Sequence, residues 1–132
     1  MYIQLNLWLN MLAKSVYKID SVKNIYSADD LILMLDLGHD GLYRLTRCRL
    51  SGVDAPSAFN SDNAEAVKLK NFVSKVLSES TESYVETVSY RNNSWLVTLY
   101  TKDQKTNAFI SLNRVLINNG YIFKKEVIPN AS

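Results

Sequence analysis

The stretch Arg47-Cys48-Arg49-Leu50-Ser51-Gly52-Val53-Asp54-Ala55-Pro56 decides the fold of this chain. Cys48 and Leu50 alternate with Arg47, Arg49 and Ser51, which predicts a strand with one apolar and one charged face. Gly52 and Asp54 then predict a turn that closes at Pro56. A guanidinium on the strand and a carboxylate five residues later meet at one strand end. There, a fork of N–H donors and a hard oxygen ligand suit a metal-bound phosphate. Upstream, Asp29-Asp30 opens the apolar run Leu31 to Leu37 and offers a second carboxylate.

Working outward, the alternating residues Val16 to Asn24 predict a first strand, and Leu31 to Leu37 a buried second one. Gly38-His39-Asp40-Gly41 is a turn, and Leu42 to Val53 the third strand. Beyond Pro56 and the polar loop Ser57 to Asp62, a helix is expected over 63–78, capped by Asp62 or Asn63. Its apolar face is Ala66, Leu69, Phe72, Val73, Val76 and Leu77. Tyr84 to Tyr90 and Trp95 to Thr101 form a hairpin about Arg91-Asn92-Asn93-Ser94. A second helix spans 111–118, with Gly120 just past its end, and Tyr121-Ile122-Phe123 reads as a short last strand. Three strands, a helix, two strands and a helix predict a β-barrel with helices (α+β). It is an OB-fold: a five-stranded Greek-key barrel with a helix between strands 3 and 4 and a C-terminal helix.

The barrel domain is expected over 16–126 and a tail over 127–132. Residues 1–15 form an apolar extension. Leu5, Trp8, Leu9, Leu12 and Val16 share a helical face, whereas Ile3, Leu5, Leu7 and Leu9 fit a strand face. A helix docking on the domain, or on a second copy as a homodimer, is the expectation. The segment lacks a basic leader and a cleavage site, and falls short of the about 20 apolar residues of a membrane span. A soluble, intracellular, cytoplasmic protein without membrane contact follows as the default.

The 132 residues make one domain, and 47% hydrophobic with 21% charged residues is the composition of a globular chain. A net charge of +2 excludes a polycation, so any nucleic-acid binding needs a local patch. The single cysteine, Cys48, excludes an internal disulfide and a cysteine-cluster zinc site; its inward strand position predicts an inert buried thiol. The lone histidine, His39, reads as part of a turn. Abundant Asn, Lys, Ile, Ser and Tyr is the composition of an AT-rich genome such as that of a phage or mobile element.

From about Val22 to Phe123 the chain resembles the staphylococcal nuclease-like family. Asp29 before the strand Leu31 to Leu35 is one matching segment. Arg49 to Pro56, which reads R-L-x-G-V-D-A-P, is the second. Ile110 to Tyr121, similar to the family's "v-N-x-x-L-v-x-x-G-l-A" helix, is the third. In active members two aspartates and a backbone carbonyl hold one calcium beside the scissile phosphate. A glutamate acts on the attacking water and two arginines bind the phosphate. The resemblance implies Asp29 and Asp54 as metal carboxylates, with Asp30 adjacent, the Ala55 carbonyl as third ligand, Ca2+ as the cofactor if that set is intact, and Arg49 as the first arginine.

Three positions depart from that pattern. Ser57 replaces the glutamate, and an alcohol of high pKa cannot serve as the base. Ser94 stands at the second arginine, since the "D-R-Y-G-R" hairpin is cut to Tyr90-Arg91-Asn92-Asn93-Ser94-Trp95. Ser27-Ala28-Asp29 also replaces "D-G-D". Losing one positioned catalytic group costs roughly 10²–10³-fold, so an efficient nuclease is not expected.

Bland readings stand beside the sharp ones. Asp54 is a metal ligand or a turn cap, Asp29-Asp30 a strand-opening turn, and Arg49 a phosphate binder or an ion-paired remnant. Glu65 is a first-turn helix glutamate or a replacement base. Tyr43, Tyr90, Trp95 and Tyr100 are base-stacking platforms or cross-strand pairs. Three functions result. A degenerate nuclease-like barrel binds nucleic acid through Arg47, Arg49, Arg91, Lys68 and Tyr90; a scaffold module binds a protein partner; or a rearranged metal-dependent nuclease acts on DNA or RNA. Nuclease-like barrels without glutamate and arginine occur in Tudor staphylococcal-nuclease proteins and beside extended Tudor domains. This chain has no Tudor barrel with an aromatic cage, so methylarginine reading is not expected.

Overall fold

Alternating burial in the first half of the chain gives three antiparallel strands, β1 (Val16–Ser27), β2 (Asp30–Asp36) and β3 (Tyr43–Leu50). The computed structural model describes residues 15–58 and 63–122. The expectations for the N-terminal extension, for most of the loop ending at Asp62 and for the C-terminal tail lie outside the described residues.

The β2–β3 turn needs left-handed backbone at two places, and glycine supplies it at Gly38 (φ 86°) and Gly41 (φ 82°). A bond from the Leu37 N–H to the Leu42 carbonyl (3.1 Å) closes it. Between β3 and β4 lies helix α1 (Ala64–Glu79), whose Asn63 cap accepts the N–H groups of Glu65 (2.9 Å) and Ala66 (3.2 Å). β4 (Ser83–Arg91) and β5 (Ser94–Lys102) form a hairpin on Asn92-Asn93, both at positive φ (54° and 63°), as a tight primed turn demands. A short β6 (Phe109–Ser111), which the alternation pattern did not announce, pairs with β5 and leads into helix α2 (Leu112–Asn118).

The strand neighbours run β3-β2-β1-β4-β5-β6, and a parallel pairing of Cys48–Leu50 with Trp95–Val97 joins β3 to β5. That last pairing closes five strands into the expected barrel, with α1 inserted between the third and fourth strands. Strand β1 makes closure geometrically feasible. Register shifts at Ile19/Ser21, Val22/Asn24 and Ile25/Ser27 coil it, so that one end pairs with β4 while the rest follows β2. Of the expected last strand Tyr121-Ile122-Phe123, Ile122 bridges to Val53, and Phe123 lies outside the described residues. Past Gly120 (φ 98°) the chain crosses the end of β3 instead of joining the sheet edge, and the Asp54 N–H binds the Tyr121 carbonyl (3.0 Å). Among the described residues no helix is long and apolar enough to cross a membrane.

Inward positions of every barrel strand fill the core. Leu31, Leu33 and Leu35 from β2 meet Cys48, Leu50, Val85, Val97 and Leu99, capped by Val73 of α1 and by Leu112 and Leu116 of α2. Asn113 on α2 is a buried polar residue among them. Its side-chain amide donates to the carbonyls of Ser51 and Val97 (both 2.9 Å), and its oxygen accepts the Leu99 N–H (2.9 Å). The residue therefore bolts α2 to β5 and to the turn that follows β3.

Two outcomes are expected. Asn113→Ala strands the buried Leu99 N–H and frees the part-buried Ser51 carbonyl, while the Val97 carbonyl keeps the Ser51 N–H. It should cost about 2–4 kcal/mol in urea unfolding, well beyond a single lost surface bond. Cys48 is fully buried and desolvation pushes its thiol up to about 12. It should therefore resist alkylation at neutral pH in the folded protein and react at once in denaturant.

Candidate functional site

The site forms where the β1–β2 turn, the end of β3 and the β4–β5 hairpin meet. Asp29 lies in that first turn, 4% exposed, and its own carbonyl accepts the Leu50 N–H (3.0 Å). This bond draws the turn onto β3, and the β2–β3 register then sets Asp30 opposite Arg49 and Ile32 opposite Arg47. Gly52 takes φ 78° to swing the chain out to Asp54, as the sequence required of a glycine there.

Arg47 grips Asp30 with two bonds, Nε to Oδ1 (3.0 Å) and Nη2 to Oδ2 (2.7 Å), the bidentate geometry in which guanidinium and carboxylate match best. Its guanidinium also stands 5.3 Å from the Tyr26 ring centroid. The Asp30 bonds and charge hold the Arg47 pKa above its ordinary value. Arg49 is looser, at 3.8 Å from Asp29 and 3.9 Å from Asp30, beyond hydrogen-bonding distance. Burial raises the Asp29 carboxyl above the usual aspartate value, against the opposing pull of Arg49 and of the Ala55 backbone N–H.

A cavity of about 520 Å³ opens here, lined among others by Asp29, Arg47, Arg49, Asp54, Arg91 and Ser94. The structure thus brings together Arg47, Arg49, Arg91 and two of the aspartates singled out from sequence, with Asp30 held behind them by Arg47. Among the described residues no group of three or more His, Cys, Asp or Glu side chains converges as a metal site would require. Ser94 is buried and its hydroxyl donates to the Arg91 carbonyl (3.2 Å), so it fastens the hairpin. Ser57 forms a bridge with Ser27, and the Ala58 N–H binds the Ser27 hydroxyl (3.1 Å).

Other residues fall elsewhere. Glu65 and Lys68 line a separate cavity between the two helices, where Glu65 accepts a hydrogen bond from the Tyr121 hydroxyl. Tyr90 is half exposed and packs on Trp95 (centroids 5.1 Å apart), off the lining of the charged cavity. The Arg47–Tyr26 stack is absent from the sequence reading, since Tyr26 lies beyond the expected end of β1 and only the bulged course of that strand brings it to β3.

No protein-family model matches the sequence, and no curated protein matches it. Among solved structures, the human TDRD1 extended Tudor domain in complex with a symmetrically dimethylated peptide is similar over 82% of this chain, with 18% identity and a TM-score of 0.39. The chain spans 63% of that structure's length. The barrel is accordingly assigned from its own strand order.

The raised Asp29 pKa has a measurable sign. In the native state Asp29 holds a proton that the unfolded chain has already released, so its contribution to stability falls as pH rises through that window. An Asp29→Asn protein has no such titration and should gain stability relative to the parent as pH rises from about 4, the ordinary aspartate range. Paired urea titrations read this difference; a gap that is flat with pH would contradict it.

Proposed function

We propose that this barrel is a divergent staphylococcal nuclease-like domain that binds a protein partner and has no role in phosphodiester cleavage. One observation carries the reading: Asp29 and Asp30 stand against Arg47 and Arg49, and offset their charge. Asp30 occupies the Nε–Nη2 edge of the Arg47 fork, the edge a bidentate phosphate would take, and Asp29 and Asp30 together flank Arg49. Asp29 and Asp30 act as partners of arginines, and among the described residues no third carboxylate joins them, a donor set that does not fit a calcium ion, which takes six to eight oxygens. Position 57 holds a serine where a glutamate would activate water, and an alcohol of high pKa cannot serve as that base.

The same strands carry a surface suited to protein. On the outer face of β3, Tyr43 (50% exposed) and Leu45 (58% exposed) precede Arg47 and Arg49, and face Asp36, Met34, Ile32 and Asp30 of β2 in register. An apolar and aromatic centre with paired charges at one end resembles the composition of protein interfaces, in which Tyr and Arg are enriched. A phosphate-tracking groove would carry unbalanced positive charge instead.

A second reading rests on Arg49 and Arg91, which line one cavity while neither donates a hydrogen bond to a carboxylate there. These two could take a nucleic-acid phosphate. One set of measurements separates the readings. A protein captured by the parent, insensitive to nuclease treatment and rebuilt from purified components, should bind about tenfold or more weakly to Leu45→Glu. Oligonucleotide binding that weakens steeply with salt and disappears in Arg49→Ala/Arg91→Ala would favour the second reading. Metal-dependent cleavage lost in Asp54→Ala would overturn both.

A further inference from the structure

A second cavity, of about 250 Å³, shares no lining residue with the charged site and opens at one mouth of the barrel. Each of the five barrel strands contributes to it. Tyr17, Leu35, Leu37, Trp95 and Val97 give apolar walls. Its two threonine hydroxyls are already engaged, Thr46 donating to the Arg44 carbonyl (3.1 Å) and Thr87 to the Ser15 carbonyl (3.3 Å).

Arg44 is the exception. The β2–β3 register places it directly opposite Leu35, on the same face as Thr46, Cys48 and Leu50, which is the inner face of the barrel. It remains exposed at the mouth, so its charge is open to a ligand. A guanidinium beside apolar walls favours an anion that shares the mouth with it. Among the described residues, no carboxylate forms an ion pair with it, in contrast to Arg47 and Arg49 on the outer face of the same strand. Apolar walls with one convergent charge are the makings of a small-ligand site.

We propose that the barrel mouth binds a small carboxylate with a short apolar stem, its stem against Tyr17, Leu37, Trp95 and Val97 and its head on Arg44. The size follows from the cavity: at roughly 30 Å³ for each water-sized group, about eight non-hydrogen atoms fit, the size of a six-carbon linear acid. This site stands apart from the protein-binding reading, and either can fail without the other.

The experiment is a titration of the full chain, followed by amide and indole NMR shifts, with hexanoate, hexanol and acetate as separate arms. Hexanoate should give saturable shifts, at millimolar or lower concentration, centred on Tyr17, Leu37 and the Trp95 indole. Hexanol, which lacks the charge, and acetate, which lacks the stem, should each bind about tenfold or more weakly, the share of one charge-assisted bond or of the buried stem. Arg44→Gln, with a spectrum otherwise like the parent's, should weaken hexanoate to the level of hexanol, while Arg44→Lys recovers part of the affinity. No saturable response in the parent, or equal binding of hexanoate and hexanol, would overturn the proposal. So would an Arg44→Gln protein that self-associates while the parent ignores all three compounds. Arg44 would then only guard the edge of β3, which pairs with β5 only from Cys48 onward.

Discussion

The side chain of Asn113 is the fastener on which the barrel depends. Closure requires β3 and β5 to run parallel at a point where β3 is about to leave the sheet, and only three residue pairs join them. Parallel pairs are slightly weaker per residue than antiparallel ones, and so short a seam has little strength of its own. Asn113 reinforces it from inside, by holding Ser51 at the end of β3 and both Val97 and Leu99 on β5. Because its amide is paired on both sides, it avoids the desolvation penalty of a buried polar group, and it fixes the depth of α2 against the sheet.

The charged site inherits its geometry from that seam. Asn113 and the Ser51 N–H, which binds the Val97 carbonyl (2.8 Å), set where β3 ends. The Asp29 carbonyl meets Leu50 one residue earlier. Asp29, Arg49 and the turn to Asp54 are therefore positioned by backbone bonds, which persist whatever the side chains do. Such a frame does not depend on which charges the side chains carry. Ser94 joins the frame through the Arg91 carbonyl, and Ser57 through its bridge with Ser27. The frame carries Arg47 and Arg49 with Asp29 and Asp30, next to an apolar outer face.

Strand β3 shows how one stretch of alternation serves three ends. Its inward residues Cys48 and Leu50 fill the core, its outward Arg47 and Arg49 face the aspartates, and its first inward position holds Arg44 at the barrel mouth. The period of two makes this partition unavoidable, since a slip of one residue would drive the guanidiniums of Arg47 and Arg49 into the core.

Much of the fold was legible in the residues alone. Alternation at Val16 to Asn24 and at Arg47 to Leu50, the Gly38–Gly41 and Asn92-Asn93 turns, and the Asn63-capped helix are local signals, governed by sterics and burial within a few residues of chain. These determined the strands, the helices and their order, and with them the barrel. Short β6 was not legible, because three residues carry too little periodicity and its strand exists by pairing with β5. The tertiary structure alone decided who partners whom. The sequence put Asp29, Asp30, Arg47, Arg49 and Arg91 on a common list. Only folding determined that Asp30 belongs to Arg47, that Tyr26 covers that pair, that Glu65 turns to Tyr121, and that Arg44 stands at the barrel mouth. Such choices depend on distances of a few ångströms between residues far apart in the chain, set by bulges and by closure, and no local pattern encodes them.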